Sequence, residues 1–185
     1  MKHFRELILF VLCTVVAFGA VAEDPDPLIS SIDAAYEQAH VAMKKNKGMG
    51  NEMVTKITRS VRGKGKTTET IRFYYNTVEG TYLGNDGSDS KFFYHPLYFI
   101  TRSYNIGKQK YYEEYLFDDN QNLLYALTQD YDENGKRIER RFYYDEGTLY
   151  ADLGPEPGPL MDQMVYLTAN ELRHGFDWLI QNPKE

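Results

Sequence analysis

The sequence predicts an α+β fold, in which an antiparallel β-meander of about six strands carries one helix before it and one after it. Apolar residues recur every three or four positions near both ends of the chain, which is typical of helices that bury one face. Between them, short β-rich runs are divided by Gly, Asn and Asp, as in strands joined by tight turns. Because two amphipathic helices need an apolar surface to cover, we expect both to pack on the sheet.

The first 22 residues have the layout of a cleavable secretory signal. Two basic residues precede an apolar run over residues 7–16, and Ala20-Val21-Ala22 supplies an A-x-A cleavage site ahead of acidic residues. The apolar run is shorter than the roughly 20 residues that a transmembrane helix needs. We therefore expect a signal peptide over 1–22, followed by a single domain over 23–185. We expect this domain to be exported, either to the periplasm or by secretion, and to have no transmembrane segment.

Composition narrows the classes of function. The formal net charge of −6 argues against nucleic acid or an anionic membrane as a partner. The one cysteine lies at position 13, inside the predicted signal, so the mature chain has no disulfide and no thiolate metal site. We expect no cofactor. The 16 tyrosines favour strands and half-buried faces, either as sheet filling or as an aromatic binding surface.

The N-terminal helix is predicted over 24–48. Asp26 is placed to cap it with Pro27 in its first position. Lysines near residue 45 suit the negative end of the helix dipole, and Gly48 suits its end. One apolar stripe runs along this helix: Leu28, Ile32, Ala35, Tyr36, Ala39 and Met43.

The sheet is predicted over 53–153, starting with a hairpin around Gly63-Lys64-Gly65. An aromatic residue followed by Asp or Asn then marks the end of successive strands, because the Asp or Asn side chain can bond the backbone of the turn. Glycines follow closely and allow positive φ. These pairs are Tyr75-Asn76, Tyr104-Asn105, Phe117-Asp118, Tyr131-Asp132 and Tyr144-Asp145.

Three stretches repeat an aromatic residue, an Asp and a turn: Phe117-Asp118-Asp119-Asn120, Tyr131-Asp132-Glu133-Asn134-Gly135 and Phe142-Tyr143-Tyr144-Asp145-Glu146-Gly147. This repeat resembles the hairpin repeats of small exported bacterial proteins with YD-like or MORN-like units, a class of unknown function. The resemblance implies an antiparallel β architecture. It implies no activity, so no functional residue is carried over from it.

The Pro/Gly-rich stretch 154–159 predicts a stiff extended connector. A C-terminal helical segment is predicted over 160–185, in which Thr168-Ala169-Asn170-Glu171 has the spacing of a capping box that opens the helix. Leu172, Phe176, Leu179 and Ile180 then share one face, and Asn182-Pro183 ends it. For Met164 to Leu167 the pattern leaves a last strand and an earlier helical turn both open.

One motif raises the question of a metal site. Asp130, Asp132 and Asn134 match the D-x-D-x-N-G start of a calcium loop. The twelfth position of such a loop holds a bidentate glutamate, and here it holds Arg141. A plain hairpin turn on Asn134-Gly135 accounts for the same residues, so we expect no metal.

Candidates for catalysis are few. His95-Pro96 interrupts a strand, and a histidine at such a break can face a cleft, so His95 is the candidate general base of a hydrolase. His40 and His174 are interpreted as residues at the edges of helical faces. Glu113 and Glu114 are neighbours on a strand and should point to opposite faces, which prevents them from acting together.

Three functions therefore stay open. The first is a non-catalytic domain that binds an unknown protein or glycan through one tyrosine-rich face of the sheet. The second is a hydrolase with its site around His95, and the third is a carrier of an apolar ligand held between sheet and helix. For the first function the candidate binding residues are Tyr74, Tyr111, Tyr115, Tyr125 and Tyr143.

Overall fold

The computed structural model describes residues 26–45, 51–63, 65–83, 88–158 and 160–181. They form helix α1 (Pro27–Lys45), nine strands and helix α2 (Met161–Gln181). The α+β prediction is confirmed, with more strands than the six expected. The predicted signal, Gly48 and Asn182-Pro183 lie outside the described residues. The strands are β1 (Glu52–Val61), β2 (Gly65–Tyr75), β3 (Val78–Leu83), β4 (Asp89–Tyr94), β5 (Leu97–Ile106), β6 (Gln109–Phe117), β7 (Leu123–Tyr131), β8 (Arg137–Asp145) and β9 (Thr148–Leu153).

Seven strands form one antiparallel sheet in the order β1-β2-β5-β6-β7-β8-β9. The predicted meander is therefore confirmed. β3 and β4 pair only with each other and form a two-stranded ribbon, inserted between the adjacent strands β2 and β5. Large side chains on both sides of this ribbon, such as Tyr82 and Phe93, are exposed.

The Asp side chains at two of the turns bond the turn backbone as predicted. Phe117 and Tyr131 are the last residues of β6 and β7. The Asp118 carboxylate accepts the backbone N–H of Asn122 at 2.7 Å. The Asp132 carboxylate accepts the N–H groups of Asn134 at 2.9 Å and Lys136 at 2.8 Å. These bonds satisfy turn backbone groups and so fix where each hairpin reverses.

Helix α1 covers one face of the sheet. Asp26 caps it as predicted, accepting the N–H groups of Leu28 at 2.8 Å and Ile29 at 3.2 Å. Ile32 and Ala39 of the predicted stripe are buried, and the rest of the stripe packs beside them. We call this side of the sheet the α1 face; its core residues are Phe99, Leu116, Tyr125, Leu127 and Tyr143.

Helix α2 covers the opposite side, which we call the α2 face. Val165, Ala169 and Phe176 pack there against sheet residues that include Phe73, Ile100, Tyr115, Ala126 and Phe142. The two helices and the sheet form three layers with two apolar cores.

The predicted start of the C-terminal helix is wrong. α2 begins at Met161, so Thr168 lies inside the helix and caps nothing. Asn170 donates its side-chain N–H to the carbonyl oxygen of Tyr166, one turn back. The helix starts earlier because Val165 and Ala169 already contact the sheet, and this packing outweighs the local capping signal. Met164 to Leu167 are helical.

Candidate functional site

The five candidate tyrosines do not share a face. Tyr74, Tyr125 and Tyr143 belong to the α1 face. Tyr115 belongs to the core of the α2 face, and Tyr111, four residues earlier on β6, points to the same side of the sheet. The expectation of one tyrosine-rich binding face is therefore corrected, because the sheet register divides these residues between its two sides.

Three of the five candidates are inaccessible. Tyr115, Tyr125 and Tyr143 are each at most 1 % exposed, since the helices cover them. Tyr111 is half-buried, stacks on Tyr104 with ring centroids 5.0 Å apart, and donates its hydroxyl to Gln109. Tyr115, Tyr125 and Tyr143 thus fill the cores, Tyr111 lies between Tyr104 and Tyr131, and only Tyr74 among the five lines the cleft described next.

A cleft of about 680 Å³ lies on the α1 face beside the C-terminal end of α1. The described part of α1 ends at Lys45, and no other described helix covers the polar half of β2, β5 and β6 on this face. Side chains from α1, from the start of β1 and from these three strands line the cleft. They are His40, Met43, Lys44, Asn51, Glu52, Thr70, Arg72, Tyr74, Tyr75, Tyr98, Thr101, Ser103, Tyr112 and Glu114.

Glu114 is the buried acid of this cleft, with 4 % of its surface exposed. Its Oε1 atom accepts the hydroxyl of Tyr112 at 2.5 Å. Its Oε2 atom accepts the hydroxyl of Tyr36 and lies 3.4 Å from His40 Nε2. The carboxylate thus joins α1 to the sheet, and a buried acid is tolerated because each oxygen has a donor.

Burial and the Glu114 carboxylate raise the pKa of Tyr36 and of Tyr112 far above the usual value for tyrosine. Both hydroxyls therefore keep their protons and remain donors at any physiological pH.

His40 is the functional candidate that the sequence did not indicate. Its ring packs against Tyr36, with centroids 4.4 Å apart, and against Phe99 at 5.3 Å. About a quarter of the side chain is exposed to the cleft (27 %). The local pattern shows only a histidine one turn after Tyr36. Its contact with Glu114 spans 74 residues of sequence, which no local signal reveals.

The other charged side chains of the cleft differ in whether they have a partner of opposite charge. Arg72 donates from Nη1 to Glu52 Oε1 at 2.7 Å. Burial, reinforced by the nearby Glu52 carboxylate, raises the pKa of Tyr74. Lys44 has no counter-charge within the described part of the chain. Thr70 and Ser103 are paired across β2 and β5, and neither hydroxyl is bonded to another described residue.

His95 lies elsewhere, at the base of the ribbon. Its Nδ1 atom is 3.2 Å from the Thr77 hydroxyl, and its ring packs edge-on against Tyr75. This arrangement gives His95 a structural partner at the strand break, and the cleft lining does not include it. The predicted hydrolase site around His95 thus has no carboxylate among the contacts that the structure gives this histidine.

The residues of the calcium-like motif bind other groups of the protein. Arg140 Nη1 donates to both carboxylate oxygens of Asp130, at 2.9 and 2.8 Å. Asp132 bonds the backbone of its own turn. Among the described residues there is no group of three or more His, Cys, Asp or Glu side chains placed to hold a metal ion.

No known protein family, curated protein or solved structure matches this chain. Within the described residues, neither helix is both long and apolar enough to cross a membrane.

Proposed function

We propose that the protein is a non-catalytic binding domain that takes a glycan or a similar hydroxyl-rich ligand in the cleft beside the end of α1. The observation that carries this proposal is the polar, tyrosine-rich lining of a cleft of about 680 Å³. Small-molecule sites typically have volumes of about 300 to 1,000 Å³. A concave site of this size favours a saccharide over the broad surface of a protein partner.

The lining suits a sugar in two ways. The rings of Tyr74 and Tyr112 offer stiff apolar area whose ordering costs little conformational entropy. The hydroxyls of Thr70 and Ser103, which bond no other described residue, supply both donors and acceptors to a ligand. A sugar ring presents the matching combination of an apolar face and a rim of hydroxyls.

The carboxylates of the cleft argue against glycoside cleavage. That reaction needs one carboxylic acid and one free carboxylate on either side of the scissile bond. Glu114 accepts two tyrosine hydroxyls, and Glu52 is paired with Arg72. Both acids are already hydrogen-bonded to other side chains, which supports binding without turnover.

A second function, that of a hydrolase, is favoured by one observation. His40 Nε2 lies 3.4 Å from Glu114 Oε2, and the Ser103 hydroxyl lines the same cleft. A histidine held by a carboxylate is a candidate general base, and a hydroxyl in the same cleft is a candidate nucleophile. In that case His40→Ala should reduce turnover by about a hundredfold or more.

Isothermal titration of the exported protein with trisaccharides of glucose, galactose and their uronic acids tests the proposal. Binding should weaken by about fivefold or more in Tyr74→Ala, because an anchoring ring is lost. Tyr82→Ala is the matched control, since Tyr82 is an exposed tyrosine on the ribbon and is not among the residues that line the cleft. Equal loss in both variants, or no binding at millimolar sugar, would overturn the proposal. Release of shorter sugars that His40→Ala abolishes would replace it with the hydrolase.

A further inference from the structure

We propose that the ligand of the cleft is an acidic saccharide, whose carboxylate is held by Lys44 and Arg72. This inference rests on the proposed function and adds the chemical class of the ligand. It follows from how the charges of the cleft are already partnered.

The charges of both acids of the cleft are already engaged with neighbouring side chains. Glu114 is buried and accepts two tyrosine hydroxyls, with His40 beside the same carboxylate. Glu52 accepts a guanidinium N–H of Arg72 at 2.7 Å. A cationic ligand would therefore compete with Arg72 for Glu52, and the positive charges of Arg72 and Lys44 in the same cleft would repel it.

The cations, in contrast, keep unused donors. Lys44 has no counter-charge within the described part of the chain. Arg72 is 43 % exposed at its side chain and uses Nη1 for Glu52, which leaves the other N–H groups of the guanidinium. A carboxylate bound between them would accept charge-assisted hydrogen bonds, which are about twice as strong as neutral ones.

The two cations belong to different walls of the cleft. Lys44 lies in the last turn of α1, and Arg72 lies on β2. The negative end of the α1 dipole also faces this region and disfavours an anion, but the last turn carries both Lys44 and Lys45, which offset it. A carboxylate held from two sides is fixed in position, and the remaining sugar then lies against the Tyr74 ring and the Thr70 and Ser103 hydroxyls.

The test compares matched trisaccharides, galacturonic acid against galactose and glucuronic acid against glucose, by isothermal titration. At low salt, we expect the acidic sugar of at least one pair to bind at least about fivefold more tightly than its neutral counterpart. Lys44→Gln should abolish this preference. Lys45→Gln is the matched control, since it removes the neighbouring charge of the same helix turn but not a group that lines the cleft. Glu52→Gln should leave the preference intact or increase it, and high salt should reduce it.

Each other outcome has a definite meaning. Equal affinity for acidic and neutral sugars, with Tyr74→Ala weakening both, overturns the inference and leaves the proposed function in place. A preference for acid that Lys44→Gln does not change overturns the inference too, because the carboxylate then binds elsewhere. If folded protein, as judged by circular dichroism, binds none of the four sugars, both the inference and the proposed function are overturned.

Discussion

Glu113 and Glu114 are adjacent on β6, and each carboxylate accepts hydrogen bonds from two tyrosine hydroxyls on its own face of the sheet. Glu113 accepts from Tyr104 at 3.0 Å and from Tyr115 at 2.7 Å, and Arg102 also donates to it. Glu114 binds Tyr36 and Tyr112 beside His40. The predicted divergence of the two acids is confirmed by these partners. Glu114 therefore supports the cleft, and Glu113 supports Arg102 on the opposite face, where Arg102 also donates to Glu69 at 2.6 Å.

Removal of Glu114 should destabilise the protein. In Glu114→Ala the Tyr36 and Tyr112 hydroxyls lose their acceptor in a mostly buried place, at a cost of about 2 kcal/mol or more in the free energy of unfolding. Urea denaturation measures this, with Glu133→Ala in an exposed turn as the control. Equal midpoints for the two variants would show that the carboxylate does not join α1 to the sheet.

The protein should lose stability in alkali. Burial and the hydrogen bond to Asp33 raise the pKa of Tyr143 to about 12, whereas an unfolded tyrosine titrates near about 10. Above pH 10 the folded state thus holds a proton that the unfolded state releases. The stabilising contribution is complete below pH 10 and is lost as the pH rises towards 12. Urea midpoints between pH 9 and 12 should fall less steeply in Tyr143→Phe; identical slopes would contradict this assignment.

Two aromatic residues of α2 should differ sharply in their effects. Phe176 is fully buried against Phe73 and Tyr75, and Phe176→Ala should lower the free energy of unfolding by about 3 to 5 kcal/mol. Trp178 is 58 % exposed two residues later, and Trp178→Ala should cost less than about 1 kcal/mol. Thermal unfolding of both variants checks the difference. A larger loss for Trp178→Ala would mean that α2 packs by another face.

Export and processing are predicted by the sequence alone. N-terminal sequencing of the exported protein should begin at Glu23, directly after the Ala20-Val21-Ala22 site. Replacing Ala22 with a large charged residue such as arginine should block cleavage, because the signal needs a small residue there. Exported protein that still carries Met1 would contradict the prediction.

Local chemistry made much of the fold predictable. The Asp26 cap and the Asp turns at residues 118 and 132 join residues within four positions of each other, and successive members of the apolar stripe of α1 have the same short spacing. Such patterns act through hydrogen bonds and helix or strand periodicity, so the sequence by itself determined that a helix lies at each end with hairpins between them. Packing on the sheet decided where α2 begins.

Tertiary structure alone decided the site. The register of the strands sends Tyr74 and Tyr111 to different faces, and the helices then bury Tyr115, Tyr125 and Tyr143. His40 meets Glu114 across 74 positions of sequence, and the cleft is lined by residues from the same two distant parts of the chain. Contacts of that range leave no local periodicity, because they arise only when the helices have packed on the sheet.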